Sequence, residues 1–225
     1  MTTFVLVHGA WHGGWAWNRV TPLLQDTGAH IITPDLTLDG DVGLETHVDE
    51  VVAALDAVST DRTTVLVGHS YAGLVIRQAA DRRPERVAHL VLIEGWAGAD
   101  GTSMITLAPT WFVDAVHAAA QANDDDRLIP APKPAAFGIN NPDDAAWLQQ
   151  RLRPHPLRTF AEPTRLSRAV DRIPGTGIYC RPQTLPFADI AQRLGYHLAA
   201  LDGPHDVMLT HPELLAQELL TAAAR

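Results

Sequence analysis

The stretch "VLVGHSYAGL" covers residues 65–74 and places a serine where an apolar run meets a helix-like pattern. A strand followed by Gly-x-Ser-x-small and then a helix is the nucleophile-elbow pattern. Its sharp turn projects the Ser70 hydroxyl above the sheet and crowds the flanking positions, which here hold Gly68, Ala72 and Gly73. A serine in this place could instead only cap the helix. The position at a strand-to-helix junction favours a nucleophile.

Short apolar runs alternate with helical patterns along the rest of the chain. Most of these runs are apolar on both faces, as parallel strands buried under helices are. We expect strands over residues 3–9, 30–36, 63–69, 87–95, 175–180 and 196–203. The alternation predicts an α/β fold with a six-stranded, mostly parallel sheet and helices on both faces.

Helical patterns fill most of the intervals between the predicted strands. They cover residues 15–26, 45–58 and 71–82. The last helix is predicted to open at "THPE", where Thr210 and Glu213 could form a capping box.

Residues 97–174 break the alternation and hold no clear strand. They are rich in proline and contain helix-like pieces at 103–121 and 143–152. Because an insertion of this length is too long for a plain loop, we expect a helical lid. The predicted core then consists of residues 1–96 and 175–225. The alternative is a surface excursion without a role, but the aromatic residues of the segment favour a cover.

The composition limits the classes of partner. The 225 residues are 46% apolar and carry a net charge of −9 with no basic run, which argues against nucleic acid and anionic membranes. No apolar stretch approaches the ~20 residues of a membrane span. Cys180 is the only cysteine, so no intrachain disulfide and no cysteine metal cluster is expected. With no signal pattern at the N-terminus, we expect a cytoplasmic protein.

A serine nucleophile needs a base and an oxyanion site. His205 follows the last predicted strand in "LDGPHDVM", in a loop at the carboxyl edge where catalytic groups gather. The glycine-rich loop after the first strand could supply the backbone N–H of Ala10, which would join that of Tyr71 in an oxyanion hole. His8 and His12 of the same loop could line the site or hold the loop.

The segments "FVLVHGAWHGGWAW" and "VGHSYAG" resemble the α/β-hydrolase superfamily. Within it they are similar to the small group of plant methyl-ester esterases, hydroxynitrile lyases and short bacterial esterases. The resemblance covers nearly the whole chain and implies a core sheet that lacks the first two strands of the superfamily. One departure is Ala72, which stands where glycine is usual in the elbow.

The acid is the larger departure from this resemblance. In the plant members it follows the strand that corresponds to residues 175–180, but here Cys180 is followed by Arg-Pro-Gln, without a carboxylate. The resemblance to short bacterial relatives instead indicates Glu94, which ends the preceding strand. A charge that closes an apolar run needs a partner, and His205 would be that partner. Asp189 and Asp100 are weaker candidates, and Glu94 could also be an exposed strand-end residue.

The sequence thus predicts a serine hydrolase that cleaves a small apolar or aromatic carboxylic ester or lactone through an acyl-enzyme. It needs no cofactor or metal in this reading, and its oligomeric state stays open. The aromatic residues expected to line the pocket are Trp11, Trp15, Trp96, Trp111 and Phe112.

Other functions remain alternatives on the same scaffold. A hydroxynitrile lyase is disfavoured because Gly9 and Asp206 stand where the lyases typically carry threonine and lysine. A non-hydrolytic cyclase or lyase and a small-molecule receptor stay open, since a fold and a triad do not determine function.

Overall fold

The central element of the computed structural model, which describes residues 1–225, is a parallel sheet. The strands are β1 (Thr2–Val7), β2 (His30–Ile32), β3 (Thr63–His69), β4 (His89–Ile93), β5 (Leu128–Ile129), β6 (His155–Pro156), β7 (Gly175–Arg181) and β8 (His197–Asp202). Six of them form the sheet in the order β2-β1-β3-β4-β7-β8, with every neighbouring pair parallel. The predicted α/β fold and its six strands are confirmed.

Helices connect the strands and cover the sheet. They are α1 (Thr21–Gln25), α2 (Leu44–Asp56), α3 (Ala72–Arg82), α4 (Met104–Leu107), α5 (Thr110–Gln121), α6 (Pro142–Gln149), α7 (Leu157–Ala161), α8 (Phe187–Arg193), α9 (Val207–Thr210) and α10 (Pro212–Ala223). Helices α2 and α3 pack against each other, as do α1 and α10. With right-handed crossovers, the strand order puts α2, α3 and α8 on one face and α1 on the other, and α10 lies beside α1. None of these helices has the length and apolar character that a membrane crossing requires.

The direction of winding reverses between β1 and β3, so the chain leaves the sheet to opposite sides at their carboxyl ends. Such a switch point is where open α/β sheets bind ligands. The carboxyl ends of β3 and β4 lead directly into Ser70 and Glu94. The turn after β8 carries His205 to the same edge. The topology therefore delivers all three predicted catalytic side chains to one side of the molecule.

The segment between β4 and β7 is mainly helical, but it is not free of strands. Helices α4 to α7 lie here, and the helical piece expected over 103–121 is divided in two at Pro109. Strands β5 and β6 pair antiparallel as a two-residue ribbon. The expectation of no strand was therefore wrong, because two-residue strands are too short to show alternation. Whether the segment acts as a lid stays a prediction.

Two helix starts also differ from the prediction. The pattern over 15–26 forms a 3-10 turn at Gly14–Trp17, and α1 begins only at Thr21. The prediction of a capping box formed by Thr210 and Glu213 is wrong. Thr210 closes the short helix α9, so its backbone is not in the extended conformation of an N-cap, and no side chain caps α10.

Candidate active site

Ser70 lies in a left-handed turn between β3 and α3, with φ of +53°. A non-glycine residue pays about 1–2 kcal/mol for this conformation. Hydrogen bonds hold the turn. The Ser70 N–H donates to the Ile93 carbonyl at 3.0 Å, and the Ser70 carbonyl accepts from Gly73 at 3.1 Å and from Trp96 at 3.0 Å. Local strain held by its surroundings is typical of functional sites.

The residues around the turn are small because neighbouring atoms leave no room for a side chain. A Cβ at Gly68 would lie 2.8 Å from the Ala72 carbonyl oxygen, and one at Gly73 would lie 2.4 Å from that of Trp96. Gly9 was singled out from the sequence only as an argument against a lyase, yet a Cβ there would lie 3.2 Å from Cβ of Ser70. The loop after β1 therefore reaches directly to the serine.

Glu94 connects the end of β4 to His205. Its backbone also has positive φ, at +47°, and its side chain is buried. Oε1 accepts the Cys180 N–H at 2.7 Å, and Oε2 accepts the Nδ1–H of His205 at 3.2 Å. Two donors thus compensate the burial of the carboxylate. Burial, followed by the Glu94 charge, raises the pKa of the Cys180 thiol and keeps it protonated.

The other candidate acids lie elsewhere. Asp189 is exposed in the first turn of α8, and Asp100 is exposed and accepts the Leu166 N–H at 2.7 Å. Neither carboxylate bonds to His205. With Nδ1 of His205 bonded to Glu94, Nε2 is the ring nitrogen of His205 that has no hydrogen-bond partner in the protein. The Ser70 hydroxyl makes no hydrogen bond within the protein, and such contacts often tighten only when substrate binds.

The two expected oxyanion donors are both available. Neither the Ala10 N–H nor the Tyr71 N–H donates to an acceptor in the protein. The Tyr71 hydroxyl donates to Nδ1 of His47 at 2.9 Å, and Nε2 of His47 donates to the Thr37 carbonyl at 2.7 Å. This arrangement needs a neutral imidazole, and burial lowers the pKa of His47 accordingly.

His8 holds the peptide plane that carries the Ala10 N–H. Its Nδ1–H donates to the Gly9 carbonyl at 2.8 Å, and its Nε2 accepts the Leu36 N–H at 3.0 Å. Burial lowers the pKa of His8 to about 4, so the ring stays neutral. Because the carbonyl and the N–H of one peptide point in opposite directions, fixing the Gly9 oxygen also aims the Ala10 N–H. His8 is thus a residue that holds the loop.

Asp206 is a buried carboxylate whose bond to His12 the sequence did not reveal. Its Oδ2 lies 2.9 Å from Nε2 of His12, and both side chains are buried. The signal was an acidic residue directly before the apolar run of residues 207–209, but its partner is 194 residues away. His69, which flanks the serine, donates from Nε2 to the His205 carbonyl at 3.1 Å.

The cluster of His69, His205 and Asp206 is also the one group with the composition of a metal site. One potential ligand atom from each lies within 4.8 Å of the others. Hydrogen bonds already occupy one nitrogen of each ring, since Nε2 of His69 donates to the His205 carbonyl and Nδ1 of His205 donates to Glu94. Burial and the nearby His205 lower the pKa of His69 well below its usual value, so it is a neutral donor.

The predicted aromatic walls divide into three groups. Trp11 and Trp96 are buried, and Trp96 packs against Phe112 and Phe187 with ring centroids 6.2 and 5.1 Å away. Trp15 is half-buried and packs edge-on against Trp147, whereas Trp111 is 61% exposed. Trp111 is thus largely exposed in this structure, and its place in the pocket wall stays a prediction. Its position on the outer side of α5 was not visible in a pattern of apolar residues.

Two phenylalanines missed in the sequence lie beside His205. The rings of Phe137 and Phe187 are nearly parallel to the imidazole, at 6.5 and 5.7 Å between centroids. Phe137 belongs to the segment between β4 and β7, which thus reaches the candidate base. Trp11 anchors the same segment, because its Nε1–H donates to the Ile129 carbonyl at 3.1 Å and its N–H donates to His155 at 3.4 Å.

A separate cavity of about 670 Å³ opens between α3, α8 and residues 97–100. Neither Ser70 nor His205 lines it. Its polar lining includes Arg77 and Asp171, whose side chains form an ion pair at 3.2 Å. It therefore does not border the candidate nucleophile or the candidate base.

Comparison with known proteins places this geometry in a family. A model described as "Alpha/beta hydrolase family" matches residues 4–218. The chain belongs to the alpha/beta hydrolase family. The resemblance drawn from the elbow and the first loop is thereby confirmed.

Named relatives of this alpha/beta hydrolase include esterases. The chain is 32% identical to the carbendazim hydrolyzing esterase of Nocardioides sp. (strain SG-4G), covering 97% of this chain and 98% of the relative. It is 34% identical to methylesterase 2 of Arabidopsis thaliana over 40% of this chain and 38% of that protein. These similarities support an esterase or a related hydrolase.

Solved structures share the fold. One is an extracellular α/β-hydrolase from a Paenibacillus species, described as a structural and functional homologue of tobacco salicylic acid binding protein 2. It superimposes with a TM-score of 0.87 at 23% identity and covers 99% of both chains. At this identity the likeness concerns the fold.

The contrast between Trp96 and Trp111 gives a first prediction. Trp96→Ala removes a buried ring and should lower the free energy of unfolding by about 3–5 kcal/mol. Trp111→Ala removes an exposed ring and should change it by no more than about 0.5 kcal/mol. Urea denaturation of both variants checks this, and a large loss of stability in Trp111→Ala would contradict the placement.

Proposed function

We propose that this chain is a serine hydrolase that cleaves small apolar or aromatic carboxylic esters or lactones through an acyl-enzyme. The observation that carries the proposal is the hydrogen bond of 3.2 Å between Glu94 and His205 at the sheet edge where Ser70 lies in its strained turn. A nucleophile, a base and an acid that orients the base are the parts that acyl transfer needs.

In the first half of the reaction, Ser70 attacks the carbonyl carbon of the ester while Nε2 of His205 takes the hydroxyl proton. The charge that develops on the carbonyl oxygen is met by the free N–H groups of Ala10 and Tyr71. Glu94 holds Nδ1 of His205 and stabilises the imidazolium that forms. His205 then gives its proton to the leaving alkoxide, which departs as an alcohol.

In the second half, His205 takes a proton from water, which attacks the acyl group on Ser70. The same two N–H groups receive the oxyanion again, and His205 returns the proton to the Ser70 oxygen as the carboxylic acid leaves. Protein groups accomplish every step, so the proposal includes no metal or cofactor.

Residues 97–174 are proposed as the lid over a core of residues 1–96 and 175–225. The support is the position of Phe137 beside His205 and the anchoring of the segment through Trp11. We further propose Trp11, Trp15, Trp96 and Phe112 as parts of the surrounding walls. Their apolar surfaces suit an aliphatic or aromatic acyl or alcohol group better than a charged one.

The role of the acid gives a second prediction. Glu94→Gln keeps the shape of the side chain but cannot stabilise the imidazolium, so kcat should fall by roughly 10³–10⁴-fold. Asp189→Asn is the matched control, because this exposed carboxylate does not contact His205. Full activity in Glu94→Gln, or an equal loss in Asp189→Asn, would contradict the assignment.

A third prediction separates hydrolysis from the alternatives. In assays of p-nitrophenyl esters, methyl esters and lactones, the wild-type protein should turn over at least one class and Ser70→Ala should lose most of that activity. Tight product binding with slow turnover would indicate a receptor instead. Product formation without incorporation of ¹⁸O from labelled water would indicate a cyclase or lyase.

A further inference from the structure

Each ring nitrogen of His12 lies within hydrogen-bond distance of an oxygen acceptor. Nδ1 lies 2.7 Å from the Ala10 carbonyl, and Nε2 lies 2.9 Å from Oδ2 of Asp206. Both side chains are at most 1% exposed. Water therefore does not compete for either bond, and each needs a proton from within the group.

The number of protons in this group follows from its donors and acceptors. The Ala10 carbonyl can only accept, so Nδ1 of His12 carries a proton. The bond to Asp206 needs another proton, on either Nε2 or the carboxyl group. Burial alone disfavours the imidazolium, but the charge and hydrogen bond of Asp206 raise the pKa of His12 above its usual value. The pair is therefore best described as an imidazolium and a carboxylate.

The pair spans the candidate site. Ala10 follows β1, whereas Asp206 directly follows His205 in the loop after β8. Three strands separate β1 from β8, which corresponds to roughly 19 Å at the usual strand spacing. The long side chains of His12 and Asp206 nevertheless meet, and theirs is the hydrogen bond that joins these two loops.

We propose that His12 and Asp206 form a positioning pair that sets the placement of the oxyanion donor Ala10 relative to the base His205. This inference rests on the proposed acyl-transfer function. The pair joins the loop that carries Ala10 to the loop that carries His205. The reaction requires a fixed distance and orientation between these two loops. Loss of the pair should therefore affect the transition state, in which the oxyanion exists, more than the binding of the ester.

Asp206 acts through His12 and not as a second acid for His205. Its Oδ2 is bonded to His12, and its Oδ1 has no hydrogen-bond partner and lies 3.9 Å from Nε2 of His69. Nδ1 of His205 is held by Glu94. The structure thus gives the two buried carboxylates different tasks.

Two variants separate position from charge. In Asp206→Asn, the new amide N–H can donate to Nε2 of a neutral His12, whose Nδ1–H still donates to Ala10. The link is kept and the charge is lost. In His12→Phe/Asp206→Leu, apolar side chains of similar size replace the pair, which usually preserves folding. The link is then lost without an unpaired buried charge.

We expect the apolar double variant to lower kcat by roughly 10²-fold with little change in KM, since small misplacements of catalytic groups cost about this much. Asp206→Asn should stay close to wild type. Affinity for a trifluoromethyl ketone, which adds to the serine and forms an oxyanion, should fall in parallel with kcat/KM. His89→Ala, which removes a buried hydrogen bond of 2.9 Å to Thr176 at the far end of the sheet, is the control and should lower Tm without lowering kcat.

The outcomes distinguish this inference from the proposed function. Wild-type kcat in the folded double variant would overturn the positioning role, and so would an Asp206→Asn variant as slow as the double variant, because charge would then be the important property. Either result is compatible with the proposed hydrolase function if Ser70→Ala is inactive. An active Ser70→Ala would instead remove the proposed function itself.

Discussion

The candidate site depends on the two hydrogen bonds that the Glu94 carboxylate accepts, from the Cys180 N–H and from the His205 ring. This carboxylate lies at the carboxyl end of β4, reaches over the end of β7 and holds the ring of His205 in the loop after β8. Three chain segments that are far apart in sequence thereby meet at one buried charge. A buried carboxylate without donors would be strongly unfavourable, so the Cys180 N–H and the His205 ring are requirements of the fold as much as of the chemistry. The left-handed backbone of Glu94 turns the chain so that its side chain can reach both.

The loop after β1 is the second organised part of the site, and histidines hold it. His8 fixes the Gly9 carbonyl and His12 fixes that of Ala10, so two successive peptide planes are set by side chains of the same loop. Trp11, between them, binds the segment that follows β4 through its indole N–H. The loop therefore links the sheet edge to the inserted segment while leaving the Ala10 N–H free. A rigid frame around a free donor is what electrostatic stabilisation of an oxyanion requires.

Much of this arrangement could be predicted because it is determined by residues that are close together in the sequence. Strands buried on both faces appear as apolar runs, so all six strands of the main sheet were visible, and Ser70 stands out by its small neighbours. The hydrogen bond between Glu94 and His205 was expected because the end of β7 offers no carboxylate and the resemblance to short bacterial relatives indicates the end of β4 instead. The contact of His12 with Asp206 could not, since the two residues are 194 positions apart and each looks like an ordinary loop residue. The exposure of Trp111 and the two-residue strands β5 and β6 likewise depend on tertiary packing, which leaves no periodic signal.

The most direct test of the account is the reaction of the protein with an alkyl fluorophosphonate, followed by mass spectrometry of its peptides. We expect one adduct per chain on the peptide that contains Ser70, and a much slower reaction in Glu94→Gln, because the imidazolium that forms on His205 then has no carboxylate beside it. An adduct on a different residue would contradict the assignment of Ser70. An unchanged rate of labelling in Glu94→Gln would show that another group supports His205.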